Sequence, residues 1–298
     1  MYFICKLDTE SLPEAVSIAT RETFEDPLNL LKVVNQSERS KRYNLTACVS
    51  PLFGNFDNFI QLIEWIELNK LLGIEHFNFY ISDVSKNVWT VLDYYQSKGE
   101  AELLPWTLPL TEEDVHYNGQ LAAINDCLYR NKHSTEWLQV TDLDEFIVPQ
   151  NDTTYSILDV LRDYDDATEV VFRHAHFLSS VRMPPAKKKT SKYGDDLIKH
   201  LTSQNLFLMS SNILPANARS KIIVKPRHIV TMGIHQVWAA MVGHVLKVVD
   251  VNVCILQHYR DTLDGVDSSA MVLNNATLRY KQLEDRVGSV LEAVNLNI

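Results

Sequence analysis

The sequence predicts an α/β protein built on a mainly parallel, Rossmann-like central sheet with helices on both faces. Three observations carry that expectation. From Thr46 onward, apolar runs of strand length alternate with runs of helical period. Glycines and small polar residues punctuate the joints between them. An apolar run, 137-WLQV-140, then leads straight into three carboxylates, Asp142, Asp144 and Glu145. A βαβαβαβ order gives parallel strands with crossover helices, and such sheets bind ligands outside the carboxyl ends of their strands.

Residues 1–43 are polar and weakly patterned and read as an N-terminal extension. TACVSPL, starting at Thr46, is a short buried strand. In 57-DNFIQLIEWIELNKLLG-73, Phe59, Leu62, Ile63 and Ile66 make one apolar stripe, with Asp57 placed to cap the helix start and Gly73 its end. Phe77, Phe79 and Ile81 alternate as in a strand. A second helix over 86–98 turns Val88, Val91, Leu92 and Tyr95 inward, and Gly99 closes it. The strand AELLPW precedes a helix within 119–132, with Leu121, Ile124 and Leu128 on one side. EWLQV then delivers the chain to the acids.

Past Asn151 the pattern loosens. A helix (SILDVLRDY) and a strand (EVVFRH) precede 183–196, which lacks periodicity and reads as a surface loop. Strands follow at 221–224, 245–250 and 253–258. The tail from 267 to 294 reads as helical, with Leu278, Leu283, Val287 and Leu291 as packing positions. Trp65, Trp89 and Trp137 fall at core-like positions. Trp106 and Trp238 fall nearer loops, where a sugar ring has room to stack.

Composition narrows the function. The chain has 298 residues, 46% hydrophobic and 22% charged, with a net charge of −10. That balance argues against phosphate-backbone binding, and the basic run Lys187–Lys189 has no interleaved aromatics, so no nucleic-acid partner is expected. No apolar run approaches the roughly 18 residues of a membrane helix, and the opening MYFICKLDTE charges too soon for a secretory signal. Against that, four N-x-S/T sequons (Asn35, Asn44, Asn151, Asn275) suit a luminal protein. The four cysteines (Cys5, Cys48, Cys127, Cys254) fit either two disulfides or buried thiols.

The acids carry the chemistry. In extended backbone, residues two apart share a face, so Asp142 and Asp144 project together while Leu143 packs inward. Two close carboxylates repel unless a positive group joins them. A divalent ion such as Mg²⁺ or Mn²⁺ suits that position and leaves coordination sites open for phosphate; capping or pairing with Lys or Arg is the plain alternative. A strand ending in D-x-D also occurs in haloacid dehalogenase-type phosphatases. Here Phe146 stands where that family has Thr or Val, and the motif comes late in the chain.

Taken in order, ACVSPLFGN, LNKLLGIEHFNFYISD, GQLAAINDCLYR, WLQVTDLDEFIVP, RSKIIVKPRHIVTMGIHQVW and ILQHYR resemble glycosyltransferase family 92. The likeness runs from about Thr46 to Arg260. It implies a glycosyltransferase A fold and a metal-dependent, inverting transfer of a sugar, typically galactose from a UDP-sugar, to a glycan acceptor. It also implies a type II Golgi membrane protein, whose N-terminal anchor this sequence lacks. The catalytic domain would span 44–262, with a nucleotide-binding half (44–150), an acceptor half (151–262) and a helical tail (263–298).

On that resemblance Asp142, Asp144 and His258 hold the metal, and Glu145 orients the pair or shapes the acceptor site. Arg260 forks onto phosphate, and Asp83 meets ribose or uracil. Ser50 and Pro51 bring backbone to uracil, and Gln120 and Asn125 contact the sugar nucleotide. Lys221, otherwise a solvated lysine before its strand, neutralises phosphate, and His235 meets donor or acceptor. Asp195 and Asp196 are the candidates for the catalytic base. A catalytically inactive sugar-binding homologue is the alternative from another class.

Overall fold

The structure is a computed structural model that describes residues 13–18, 29–33, 41–109, 114–179, 192–261 and 270–298, without the side chains of 194–196. The chain divides into two units, residues 1–40 and 41–298. In the first, β1 (Ala15–Val16) and β2 (Leu31–Lys32) pair antiparallel.

The second unit opens with the predicted alternation: β3 (Tyr43–Leu52), α1 (Phe59–Leu71), β4 (His76–Ile81), α2 (Lys86–Ser97), β5 (Ala101–Pro105), α3 (Gln120–Asn131) and β6 (Thr135–Thr141). In space these strands lie in the order β5-β4-β3-β6, all parallel. Because β6 joins on the far side of β3, the winding direction reverses between β3 and β6. That reversal leaves a crevice at their carboxyl ends, the place where open α/β sheets bind ligands.

The chain then runs through β7 (Glu145–Pro149), α4 (Ile157–Arg162), β8 (Glu169–Phe172), β9 (His174–Leu178), α5 (Gly194–His200), α6 (Thr202–Asn205), β10 (Leu208–Ser210) and β11 (Lys221–Val224). It ends with β12 (Ile229–Met232), β13 (Val237–Ala240), β14 (Leu246–Val248), β15 (Cys254–Arg260), β16 (Met271–Leu273) and α7 (Leu283–Val294). The parallel core extends into a seven-stranded sheet through β11, antiparallel to both β6 and β8, with β14 at the edge. A second, five-stranded sheet has the order β16-β10-β9-β15-β7. Thus β6 and β7, only three residues apart, belong to different sheets.

Several expectations change in detail. Asn58, not Asp57, caps α1: its side chain accepts from the Gln61 N–H at 3.0 Å. Helix α1 buries Ile60, Trp65 and Leu68 beside Leu62, Ile63 and Ile66, because it packs between the sheet and α7. Each such buried aliphatic side chain contributes about 1.5–3 kcal/mol. Among the described residues of the C-terminal tail the α-helix is α7, where Leu283, Val287 and Leu291 are buried; residues 271–279 hold β16 and a short 3₁₀ turn. Trp89 is 39% exposed on the outer face of α2, while Trp65 and Trp137 are buried. Most of the supposed loop 183–196 lies outside the described residues, but the backbone of Asp195 and Asp196 falls in α5, whose start has no loop character.

Candidate active site

The D-x-D residues do not continue a strand. Asp142, Leu143 and Asp144 form the turn in which the chain leaves the seven-stranded sheet for the five-stranded one, closed by the Glu145 N–H donating to the Asp142 carbonyl at 3.2 Å. Helix α1 braces this turn: Gln61 Nε2 donates to the Leu143 carbonyl and Trp65 Nε1 to that of Glu145. Period-two alternation therefore does not apply, and the two aspartates have different partners.

Asp142 is held from the seven-stranded sheet. Lys221, at the start of β11, is 1% exposed. Its Nζ lies 2.8 Å from Asp142 Oδ2 and 3.0 Å from Glu145 Oε2. Ser50 Oγ donates to Asp142 Oδ1, and Gln120 Nε2 donates to Ser50 Oγ at 2.7 Å. Glu145 closes the ring by accepting from the Asp142 N–H at 3.0 Å. Burial alone would push Lys221 down, but the two carboxylates outweigh it and hold the ammonium above the ordinary lysine range. Burial likewise works to raise Asp142, yet Lys221 and Ser50 keep it below the usual carboxylate range. Glu145, with burial dominating, is pushed up. The solvated lysine expected before β11 is thus a fully buried one.

Asp144 is held from the five-stranded sheet. β15 runs antiparallel to β7 with His258 opposite Glu145, which brings His258 Nε2 to 3.2 Å and Arg260 Nε to 3.8 Å from Asp144 Oδ2. His258 Nδ1 lies 3.0 Å from Nε2 of His174 on β9. His174 is fully buried, and burial followed by the neighbouring His258 lowers its pKa to about 3, so it stays neutral. Sequence reasoning missed His174, because only the pairing of β9 with β15 makes it a neighbour of His258.

The acids and His258, though not Lys221 or His174, line one cavity of about 360 Å³ at the switch point between β3 and β6. Ser50, Pro51, Gln120, His235 and Arg260 line it as the resemblance implied, together with the three acids and His258. Arg219, Phe53, His116 and Tyr117 line it without having been singled out. Three assigned residues do not line it: Lys221 (assigned to phosphate but buried beneath the acids), Asn125 and Asp83. Asn125 is buried behind the sheet, exchanging hydrogen bonds with the Met232 backbone in both directions. Asp83 accepts from the Asn55 N–H at 2.7 Å, while Ser85 caps α2. His235 Nδ1 lies 2.9 Å from the Ser220 carbonyl, and burial, followed by Lys221, lowers its pKa. The Asp195 and Asp196 side chains lie outside the described residues.

Asp144 Oδ2 and His258 Nε2, hydrogen-bonded to each other on the cavity wall, are the pair a cation would meet, since both Asp142 oxygens are held by Lys221 and Ser50. Among the described residues, no group of three His, Cys, Asp or Glu side chains converges as a ready metal cage.

Residues 43–290 match the sequence profile of glycosyltransferase family 92. The chain belongs to this family. Its α/β fold has the parallel β5-β4-β3-β6 core expected of the glycosyltransferase A fold that this family resemblance implied. The beta-1,4-galactosyltransferase galt-1 of Caenorhabditis elegans is 30% identical over 297 residues, 98% of this chain and 63% of that protein. The galactan beta-1,4-galactosyltransferase GALS3 of Arabidopsis thaliana is 28% identical over 165 residues, 54% of this chain and 32% of that one. The family 92 chain thus spans less than two thirds of either relative. Among solved structures, S. aureus TarS 1–349 with UDP-GlcNAc is similar at a TM-score of 0.41 and 12% identity, over 77% of this chain and 62% of that one; so distant a likeness carries no argument about residues.

Proposed function

We propose that the chain is a glycosyltransferase that moves galactose from UDP-galactose to a glycan acceptor with inversion, using Mn²⁺ or Mg²⁺. One observation carries the reading: Asp144, His258 and Arg260 meet within 3.8 Å on the wall of a cavity at the sheet's switch point. Membership of family 92 excludes the phosphatase alternative. The galactose donor is drawn from galt-1 and GALS3, both named galactosyltransferases.

The donor set fits a hard divalent ion. A carboxylate oxygen and an imidazole nitrogen 3.2 Å apart suit Mn²⁺, with diphosphate oxygens completing the shell. Asp142 would reach the ion through water, since Lys221 and Ser50 hold its oxygens. When bound, the ion supplies Lewis-acid neutralisation of the departing diphosphate. Arg260 and Arg219 add positive charge to the same wall, and Arg is well shaped for phosphate. Lys221 is a strut: it fixes Asp142 and Glu145, and so the turn that presents Asp144. An acceptor-side carboxylate is required as base, with Asp195 and Asp196 the proposed residues. A Golgi lumen location agrees with the Cys48–Cys127 disulfide, since disulfides persist in oxidising compartments. Among the described residues no helix is long and apolar enough to cross a membrane.

The test is a panel of UDP-sugars with and without Mn²⁺, run on wild type and Asp144→Ala. UDP-galactose turnover is expected only with the ion, and the variant is expected to fall by more than the ~10–100-fold that loss of an outer partner costs at metal sites. Equal turnover without metal, or in the variant, would remove the proposal.

A further inference from the structure

Tyr117, Asn118 and Gly119 all adopt left-handed backbone, with φ of +46°, +49° and +75°. Of the three only Gly119 takes that conformation without a Cβ penalty. Consecutive left-handed residues persist only where the surroundings over-determine them, and such strain concentrates at ligand clamps. Here Trp106 Nε1 donates to the Asn118 carbonyl at 2.8 Å, and a Cβ on Gly119 would lie 2.7 Å from Leu108 Cδ1. The Asn118 amide is buried, with Nδ2 lacking a partner among the described residues.

What the turn achieves is the placement of one ring. Tyr117 is 51% exposed and lines the cavity, with Phe53 edge-on at 6.3 Å and His116 at 4.6 Å, both also on the cavity wall. No aromatic ring among the described residues lies parallel to it. The cavity wall carries two kinds of lining. Asp144, His258 and Arg260 form a charged cluster, while Phe53, His116 and Tyr117 form an aromatic one. Gln120, three residues beyond Tyr117, ties the aromatic turn to Ser50 and Asp142. A nucleoside diphosphate has the same asymmetry, a planar base at one end and anionic oxygens at the other.

We propose that Tyr117, backed by Phe53, is the stacking platform for the pyrimidine base of the nucleoside diphosphate. The inference rests on the donor-binding reading above and adds the base subsite to it. The strained turn aims the ring, and the phosphates lie toward Asp144 and Arg260.

Calorimetric titration of the full chain with Mn²⁺, comparing UDP with inorganic pyrophosphate, separates the two linings. Tyr117→Ala is expected to weaken UDP binding about 10-fold or more, the scale of a lost base–aromatic stack, and to leave pyrophosphate unchanged. Tyr117→Trp is expected to retain UDP. Phe53→Leu provides an independent variant should Tyr117→Ala fold poorly, with the same UDP-only loss expected. Wild-type UDP affinity in both truncations, or equal loss of UDP and pyrophosphate, overturns the subsite. A wild-type protein that binds neither ligand overturns the donor reading and the subsite with it.

Discussion

Lys221 shows what one residue decides. A lysine two residues after Arg219 at the head of an apolar strand looks solvated in the sequence. In the fold it is the cation between two carboxylates, and Glu145 beside it is 2% exposed. Removing one partner of a buried pair leaves the other charge unpaired, which costs more than the pair itself contributes. Lys221→Met is therefore expected to lower unfolding stability by about 3–5 kcal/mol, read from the midpoint of a urea titration. Lys221→Arg should retain part of that loss, since it keeps the charge in a larger shape. The D-x-D pair stood out in the sequence as a candidate because carboxylates after an apolar strand are unusual. Its division of labour did not: nothing local says that Asp142 meets Lys221 while Asp144 meets His258.

At the scale of elements, α1 does more than cover the sheet. Its Glu64 is buried and accepts from the N–H groups of Thr202 and Ser203 and from Ser203 Oγ, so it anchors the start of α6. Burial outweighs those hydrogen bonds and raises its pKa from 4.5 to about 7. The folded state then holds this proton more tightly than the unfolded chain does. By linkage the contribution of Glu64 is full below about pH 4.5, declines as pH rises toward 7, and levels off above. This group alone lowers unfolding free energy by up to about 3 kcal/mol across that window, against an opposite contribution from His174, whose depressed pKa favours the folded state as pH rises. Glu64→Gln should remove the falling component, so that the variant's measured stability gains on the wild type's as pH rises through the window, whatever the change in absolute stability. The helices α1, α2 and α3 were readable because their apolar residues recur at helical spacing and Gly73 and Gly99 follow the first two; the capping residues Asn58 and Ser85 were not singled out. The split of β8 from β9 at Arg173, and the strand β16 within a supposed helical tail, were not. These are short segments whose conformation comes from their sheet partners.

At the scale of the whole molecule, the Cys48–Cys127 disulfide ties β3 to α3 across 79 residues of sequence. It closes a loop that contains α1, β4, α2 and β5, so it constrains the unfolded chain over much of the parallel core. Replacing both cysteines by alanine is expected to lower stability by about 2–4 kcal/mol, measured as a shift of the thermal midpoint against wild type. Cys254, a buried thiol among the described residues, should remain unreactive to alkylating reagents in the folded protein.

The sequence by itself determined the strand–helix alternation, the parallel core and the position of the acids after β6, because periodicity and capping are local properties of the chain. The tertiary structure alone decided that β6 and β7 part into two sheets at Asp142–Asp144, and that β11 brings Lys221 and β15 brings His258 to that turn. It alone placed the left-handed Tyr117 on the cavity wall. Those contacts join residues tens of positions apart. Their energy exists only once the sheets have paired, so no stretch of sequence carries it.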